Sequence, residues 1–340
     1  MKVPADAPTV RRRRCPTVRG ALCLPALLLV LAMLGVAPPP AHGADPDLPY
    51  GINAHLPSAA VLDLVRDAGI SWIRVDFNWF MMEPERGVYD WSTTDAVVSD
   101  ARSRGLNIFA TLAYVPGWAT DVPADWYQFV FDTVSRYKDS VKHWGMWNEP
   151  NLDPFFRGSP QQYIQDVLRP GARAVRDADS SALVLGPELA QIHSGHWNGW
   201  LLTVLTQAGD EIDIVTHHDY SDDGLAVLQG LGGQFPLSRL RTPRGIMEVT
   251  GTSDKPLWLT ETGWRTDQVT QNEQADYYVQ VLEGVDSASW LDKVFFYEIA
   301  DDPRFPEQWG ILESDLTPKQ AYYRYRDYIT AHPSGQARAR

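Results

Sequence analysis

Cysteine is almost absent from this sequence. Only Cys15 and Cys23 occur, both before residue 44, so the rest of the chain has no disulfide, no thiolate metal site and no cysteine nucleophile. Other signatures are missing as well. There is no Gly-x-Ser-x-Gly elbow of a serine hydrolase, no phosphate-binding P-loop and no His-Glu-x-x-His helix of a zinc protease. Positive charge is in deficit: 30 lysines and arginines face 43 aspartates and glutamates, a net charge of −13. Such a surface repels phosphate backbones and anionic membranes, which argues against nucleic acid as a partner.

The basic residues that do occur are unevenly spread. Residues 1–43 hold Lys2, Arg11, Arg12, Arg13, Arg14 and Arg19 against Asp6 alone. An apolar run follows from Ala21 to Ala37, broken by Pro25, and then Pro38-Pro39-Pro40 and Ala41-His42-Gly43. That run is shorter than the ~20 residues of a spanning helix. We read 1–43 as a secretory signal peptide in preference to an uncleaved anchor, and expect a secreted, extracellular protein with no membrane contact after cleavage. Cys23 opens the apolar run, whereas a lipoprotein signal would end on its cysteine. All 13 tryptophans come after this segment. Tryptophan suits hydroxylated ligands whose C–H faces stack on the ring while the indole N–H donates a hydrogen bond.

From residue 44 onward, short apolar runs alternate with amphipathic stretches. Strands are expected at Tyr50–His55, Trp72–Phe77, Asn107–Ala113, Trp144–Asn148, Leu183–Glu188, Ile212–His218, Leu257–Glu261 and Val294–Glu298. Their starts recur about every 35 residues, the length of a strand, a helix and two loops. Helices are expected at Ala59–Ala68, Thr93–Arg104, Asp125–His143, Pro160–Ala178, Trp197–Ala208, Asn272–Ser289 and Pro318–Ile329. In the second, Ala96, Val97 and Ala101 share a side and Gly105 stops the helix. The alternation predicts an α/β fold, a (β/α)₈ TIM barrel forming one catalytic domain over 44–340. An open doubly wound sheet would normally carry a glycine-rich turn after its first strand, and Tyr50–Pro57 has none.

In such a barrel the active site gathers at the carboxyl ends of the strands. Two predicted strand ends stand out: Trp144-Gly-Met-Trp-Asn148-Glu149-Pro150, and Trp258-Leu-Thr-Glu261-Thr-Gly-Trp264. A carboxylate that ends a buried strand is costly unless it is paired or used. Two carboxyl groups across one cleft are what glycosidic cleavage requires, one protonated to supply the leaving oxygen and one ionised to attack or to activate water. Their environments must split their pKa values.

The WNEP and TETGW sequences resemble the acid/base and nucleophile signatures of clan A glycoside hydrolases, retaining (β/α)₈ enzymes. Trp79-Phe-Met-Met-Glu-Pro-Glu-Arg-Gly-Val-Tyr-Asp-Trp91, Ala113-Tyr-Val-Pro-Gly-Trp118, Gly310-Ile-Leu and Thr317-Pro-Lys-Gln-Ala321 extend the likeness over nearly the whole chain after the leader. Among families it is most similar to family 39 and related family 5-like bacterial proteins. The resemblance implies Glu149 as general acid/base, Glu261 as nucleophile, Asn148 on the sugar 2-hydroxyl, and Arg74 beside the nucleophile, keeping it ionised. His218 and Tyr220 match the sixth-strand pair, with His217 turned to the helix side. The clan often ends strand eight with a tryptophan beneath the sugar, where this chain reads Phe295-Phe296-Tyr297-Glu298. Tyr297 is then the expected platform, with Glu298 or Asp301 on hydroxyls.

Trp79, Trp118, Trp264 and Trp309 fall on loops or strand ends, where they either bind sugar or pack locally; Trp118 and Trp264 are carried forward as substrate-binding candidates. His193, His196, His217 and His218 with Asp219 invite a metal reading, but the first strand offers only His55, and no metal or cofactor is expected. The partner is a poly- or oligosaccharide and the protein is expected to act as a monomer. The competing function is a catalytically silent barrel that binds glycans in the same cleft.

Overall fold

The apolar runs pair in sequence order. The computed structural model describes residues 48–191, 196–232 and 239–333, so the expected leader at 1–43 and His193 lie outside the described residues. Eight strands, β1 (Tyr50–His55), β2 (Trp72–Asn78), β3 (Asn107–Ala113), β4 (His143–Met146), β5 (Leu183–Gln191), β6 (Ile214–Asp219), β7 (Leu257–Thr262) and β8 (Lys293–Phe296), form a closed barrel. Each pairs in parallel with its neighbour, and β8 closes on β1. The architecture is a (β/α)₈ TIM barrel.

The helices are α1 (Ala59–Asp67), α2 (Trp79–Met82), α3 (Ser92–Ser103), α4 (Val122–Tyr137), α5 (Pro160–Tyr163), α6 (Arg169–Ala178), α7 (Trp197–Ala208), α8 (Gly224–Gly232), α9 (Pro243–Thr250), α10 (Gln271–Ser287) and α11 (Gln320–Ala331). Five departures from the expected elements have local explanations. The helix expected at Asp125–His143 begins earlier because proline fits a first turn, where its missing N–H is not needed. The helix expected over Pro160–Ala178 is split by a π-turn at Ile164–Leu168, where the Arg169 N–H reaches back to the Ile164 carbonyl. Pro170 lies next in the chain, and a proline ring would clash with the carbonyl four residues before it, so the wider turn relieves the crowding. The short α2, and α8 with glycine at both ends, carry little helical signal. Helix α9 could have been read from its Thr242 cap, Pro243 start and left-handed Gly251 stop.

The lumen has two storeys. Its lower part is plugged by Trp72, Phe109, Leu185, Ile214, Trp258 and Phe295, all buried. Trp72 and Trp258 meet edge to face at 5.3 Å, and Trp258 stacks on His143 at 5.4 Å. A larger core lies between strands and helices. Towards the carboxyl ends the ladder becomes irregular. Register shifts occur between Asn53 and His55 on β1, between Pro187 and Leu189 on β5, and between Leu259 and Thr262 on β7. Bulges of this kind re-aim side chains. Strict alternation from the inward Trp258 would turn Glu261 outward; the irregularity pairs it with His218 and brings it to the lumen. Strand β4 was expected to reach Asn148 but stops at Met146, because Trp147 and Glu149 adopt positive φ angles of 81° and 44°.

Candidate active site

Arg74 organises the upper storey. It lies on the lumen face of β2 and is only 2% exposed. Each of its five N–H groups has a partner. Nη1 donates to Asn53 Oδ1 at 2.8 Å and Glu261 Oε1 at 2.7 Å; Nη2 donates to Asn148 Oδ1 at 2.8 Å and Glu188 Oε2 at 2.7 Å; Nε donates to Glu188 Oε2 at 2.9 Å. Burial opposes its charge, but Glu188 and Glu261 outweigh it and raise its pKa further. Because the guanidinium occupies the Asn148 carbonyl, the amide nitrogen faces the other way and donates to Tyr114 Oη at 3.2 Å.

Glu149 and Glu261 meet across the lumen. His218 Nδ1 lies 2.9 Å from Glu149 Oε1 and 3.4 Å from Glu261 Oε2. Tyr220 donates to Glu261 Oε2 at 2.6 Å. Oxygens of the two glutamates and the His218 nitrogen all lie within 4.8 Å of one another. The Glu149 backbone N–H donates to the Glu188 carbonyl at 3.0 Å, which ties the loop after β4 to the bulge in β5. Burial lowers the pKa of His218, but Glu261, Glu149 and Glu188 overcome it and bring it to about 9. Burial raises the pKa of Glu261 and Glu149 adds to the rise, against the pull of His218 and Arg74. Arg74 lies beside Glu261 as expected and pulls its pKa down, although burial leaves it raised overall. Glu149, His218 and Glu261 are the donors that could gather around a cation, at the expense of the proton that His218 carries.

Glu188 is the member that sequence reasoning missed. It is fully buried at the β5 bulge with φ 52°, bound to Arg74 and within 3.3 Å of Thr111 Oγ1. Any side chain at position 145 would collide with its carboxylate, so Gly145 in β4 makes its room. It stands at the end of an apolar strand, the same signal that picked out Glu149 and Glu261. His55 and Asp76 were missed as well. His55 Nδ1 lies 2.7 Å from Asp76 and Nε2 lies 2.9 Å from Glu298. Burial would lower its pKa; the two carboxylates raise it to about 10.

A cavity of about 500 Å³ opens above this network, lined by Arg74, Asn148, Glu149, Tyr220, Glu261 and Tyr297, and also by His55, Asp76, Tyr114, Phe155 and Trp309. Tyr297 sits edge-on to His55, Tyr220 and Trp309 at 5.4, 6.3 and 5.8 Å. Several expected residues lie elsewhere. Glu298 is held by His55 and faces a neighbouring cavity. Asp301 is buried against Lys319 at 2.7 Å and serves the fold. Trp118 donates to the Glu83 carbonyl and packs on Trp79, itself buried. Trp264 is 6% exposed and donates to the Ser221 carbonyl. His217 is on the helix side as expected, 2.9 Å from Gln191 and against Trp197 of α7. Of the four tryptophans in question, Trp309 lines the cavity.

The closed parallel barrel with two facing glutamates at its carboxyl end defines a TIM barrel of the glycosidase type. Residues 69–323 match the glycosyl hydrolase catalytic core family, and the chain belongs to it. Over 94 residues it is 35% identical to a β-xylosidase of Caldicellulosiruptor saccharolyticus, a match covering 26% of this chain and 18% of that protein. A family 39 glycoside hydrolase from Bacteroides cellulosilyticus superposes with a TM-score of 0.69 at 21% identity, covering 84% of this chain and 64% of that one. A family 5 subfamily 18 enzyme from Streptomyces cattleya, solved with Manβ1-4GlcNAc, gives a TM-score of 0.67 at 17% identity, covering 86% and 83%. These structures share the fold that the motif resemblance implied. The chain spans less than two thirds of the xylosidase and of the family 39 structure.

Proposed function

We propose that the protein is a secreted retaining β-glycoside hydrolase that cleaves O-glycosidic bonds of a poly- or oligosaccharide by double displacement. The observation that carries this reading is the pair Glu149 and Glu261, whose oxygens approach within 4.8 Å while their partners differ. Retaining enzymes hold the two carboxyl groups about 5–5.5 Å apart, whereas inverting ones leave about 6.5–9.5 Å for a water.

Charge distribution supports the roles. Arg74 and His218 bring two positive charges to three glutamates, so the cluster is neutral when one glutamate holds a proton. Glu188 receives two N–H groups of Arg74, and Glu261 has a donor on each oxygen. Glu149 is bonded on Oε1 by His218, and among the described residues no partner occupies its second oxygen. In this reading Glu149, with an oxygen free towards the cleft, protonates the departing oxygen while the Glu261 carboxylate attacks the anomeric carbon. Water, deprotonated by Glu149, then releases the sugar with its configuration retained. Asn148, oriented by Arg74, presents its amide to the 2-hydroxyl, and Tyr297 and Trp309 supply ring faces.

The test is turnover of aryl β-xylosides, β-glucosides, β-mannosides and β-galactosides, with the first-formed anomer read by proton NMR. A β-anomer is expected. An α-anomer as first product would assign an inverting mechanism, and no turnover in any series would favour the glycan-binding barrel.

A further inference from the structure

A second cavity of about 520 Å³ adjoins the catalytic one on the side of β1 and β8. The two share His55, Asp76 and Tyr297 as lining residues. His55 is therefore the partition between them, pinned by Asp76 on one ring nitrogen and Glu298 on the other, with 40% of its side chain exposed. A partition open at its top leaves the two cavities as successive compartments of one groove. Each falls in the range of about 300–1,000 Å³ that holds a small organic ligand.

Position decides what the second compartment would hold. In the closed barrel β4 and β8 lie on opposite sides. Glu149 follows β4, so a leaving group protonated by it departs on that side. The sugar attacked by Glu261 extends the other way, towards Tyr297, and whatever is attached to its non-reducing end continues over His55. The lining suits an uncharged ring. Met81 and Phe305, 50% and 62% exposed, offer apolar faces at its rim. Asp76, Glu298 and Asp302 against His55 and Arg304 leave an excess of negative charge. Hydroxyl groups can donate to such carboxylates, whereas a uronate or a sulfated sugar would be repelled.

We infer that the cavity bounded by His55, Asp302 and Phe305 binds a second neutral sugar on the non-reducing side of the cleaved bond, so that the enzyme cuts within a β-glycan chain and does not trim single terminal sugars. The inference rests on the hydrolase reading. It is tested with 4-nitrophenyl β-glycosides carrying one, two or three sugars in the xylo, gluco and manno series, on the wild-type protein and on Phe305→Ala, a surface substitution. In the series it accepts, the wild type should gain at least about tenfold in kcat/KM from one sugar to two. Phe305→Ala should lower that two-to-one ratio several-fold, and the first products from the matching polysaccharide should be oligosaccharides. Equal kcat/KM for one and two sugars, an unchanged ratio in Phe305→Ala, or a single sugar as the first product would overturn the second site and leave the hydrolase intact. No turnover in any series or on any polysaccharide would overturn both.

Discussion

Along β2 the lumen side carries Trp72, then Arg74, then Asp76, and that short climb separates two kinds of construction. In the lower storey aromatic and aliphatic side chains fill the barrel from strands in regular register. In the upper storey three strands lose register, and His55, Glu149 and Glu188 adopt positive φ. Histidines report the same division. His143, half-buried at the bottom, has its pKa lowered to about 4 by desolvation and by Lys293. At the top, carboxylates overcome burial and raise His218 to about 9 and His55 to about 10. Desolvation lowers the pKa of all three, so the neighbouring charges decide the outcome. Strain and buried charge are concentrated where chemistry is proposed, while the lower storey supplies the packing that holds them.

The contrast can be broken by substitution, and the largest effect belongs to the top. Glu261→Ala should lose at least about 10⁴-fold in kcat, the scale seen when a covalent nucleophile is removed, with an unchanged circular dichroism spectrum. Glu149→Ala should lose about 10²–10⁴-fold on poor leaving groups, far less on activated aryl glycosides, and should recover with azide. Equal loss on every leaving group would remove its acid/base role.

Stability separates the storeys next. Trp258→Ala should destabilise by about 3–5 kcal/mol through the cavity it leaves, with kcat of the folded fraction retained. Arg74→Met should cost a similar 3–5 kcal/mol by leaving Glu188 and Glu261 uncompensated, but with activity lost as well. Urea titration beside kinetics distinguishes them, and a catalytic defect in Trp258→Ala would contradict the division. Gly145→Ala should cost about 1–3 kcal/mol by crowding Glu188.

The smallest effect is on pH dependence. His55 is raised above its unfolded value, so its contribution to stability is complete below about pH 6.5 and is lost as the pH climbs towards 10. His143 is depressed, so its contribution is present above about pH 6.5 and is lost on the way down to about 4. Unfolding midpoints from pH 4 to 10 should therefore flatten on the alkaline side in His55→Gln and on the acid side in His143→Gln.

The same division explains what could be read in the sequence. Strand order, barrel closure and most helices follow from apolar runs and punctuation, which are local properties. Glu149 and Glu261 were legible because each ends an apolar run with tryptophan nearby. Glu188 ends such a run too, but nothing local distinguishes it from a strand's solvated edge; only Arg74, 114 residues away along the chain, gives it a purpose. His55 and Asp76 are likewise partners across strands. Trp118 and Trp264 misled for the opposite reason, since a tryptophan on a loop has the same composition whether it faces a ligand or donates to a carbonyl beneath it. Alternation fails at Glu261 because a bulge is a tertiary event, invisible to a period of two.

The central claim is that Glu261 is the group that bonds to the anomeric carbon. Incubation with a 2-deoxy-2-fluoro-β-glycosyl fluoride, followed by peptide mass spectrometry, should find one sugar on the peptide containing Glu261, with inactivation in step with labelling. Complete inactivation with the label on Glu149 or Glu188, or turnover of the matching aryl glycoside with no covalent sugar at all, would contradict it.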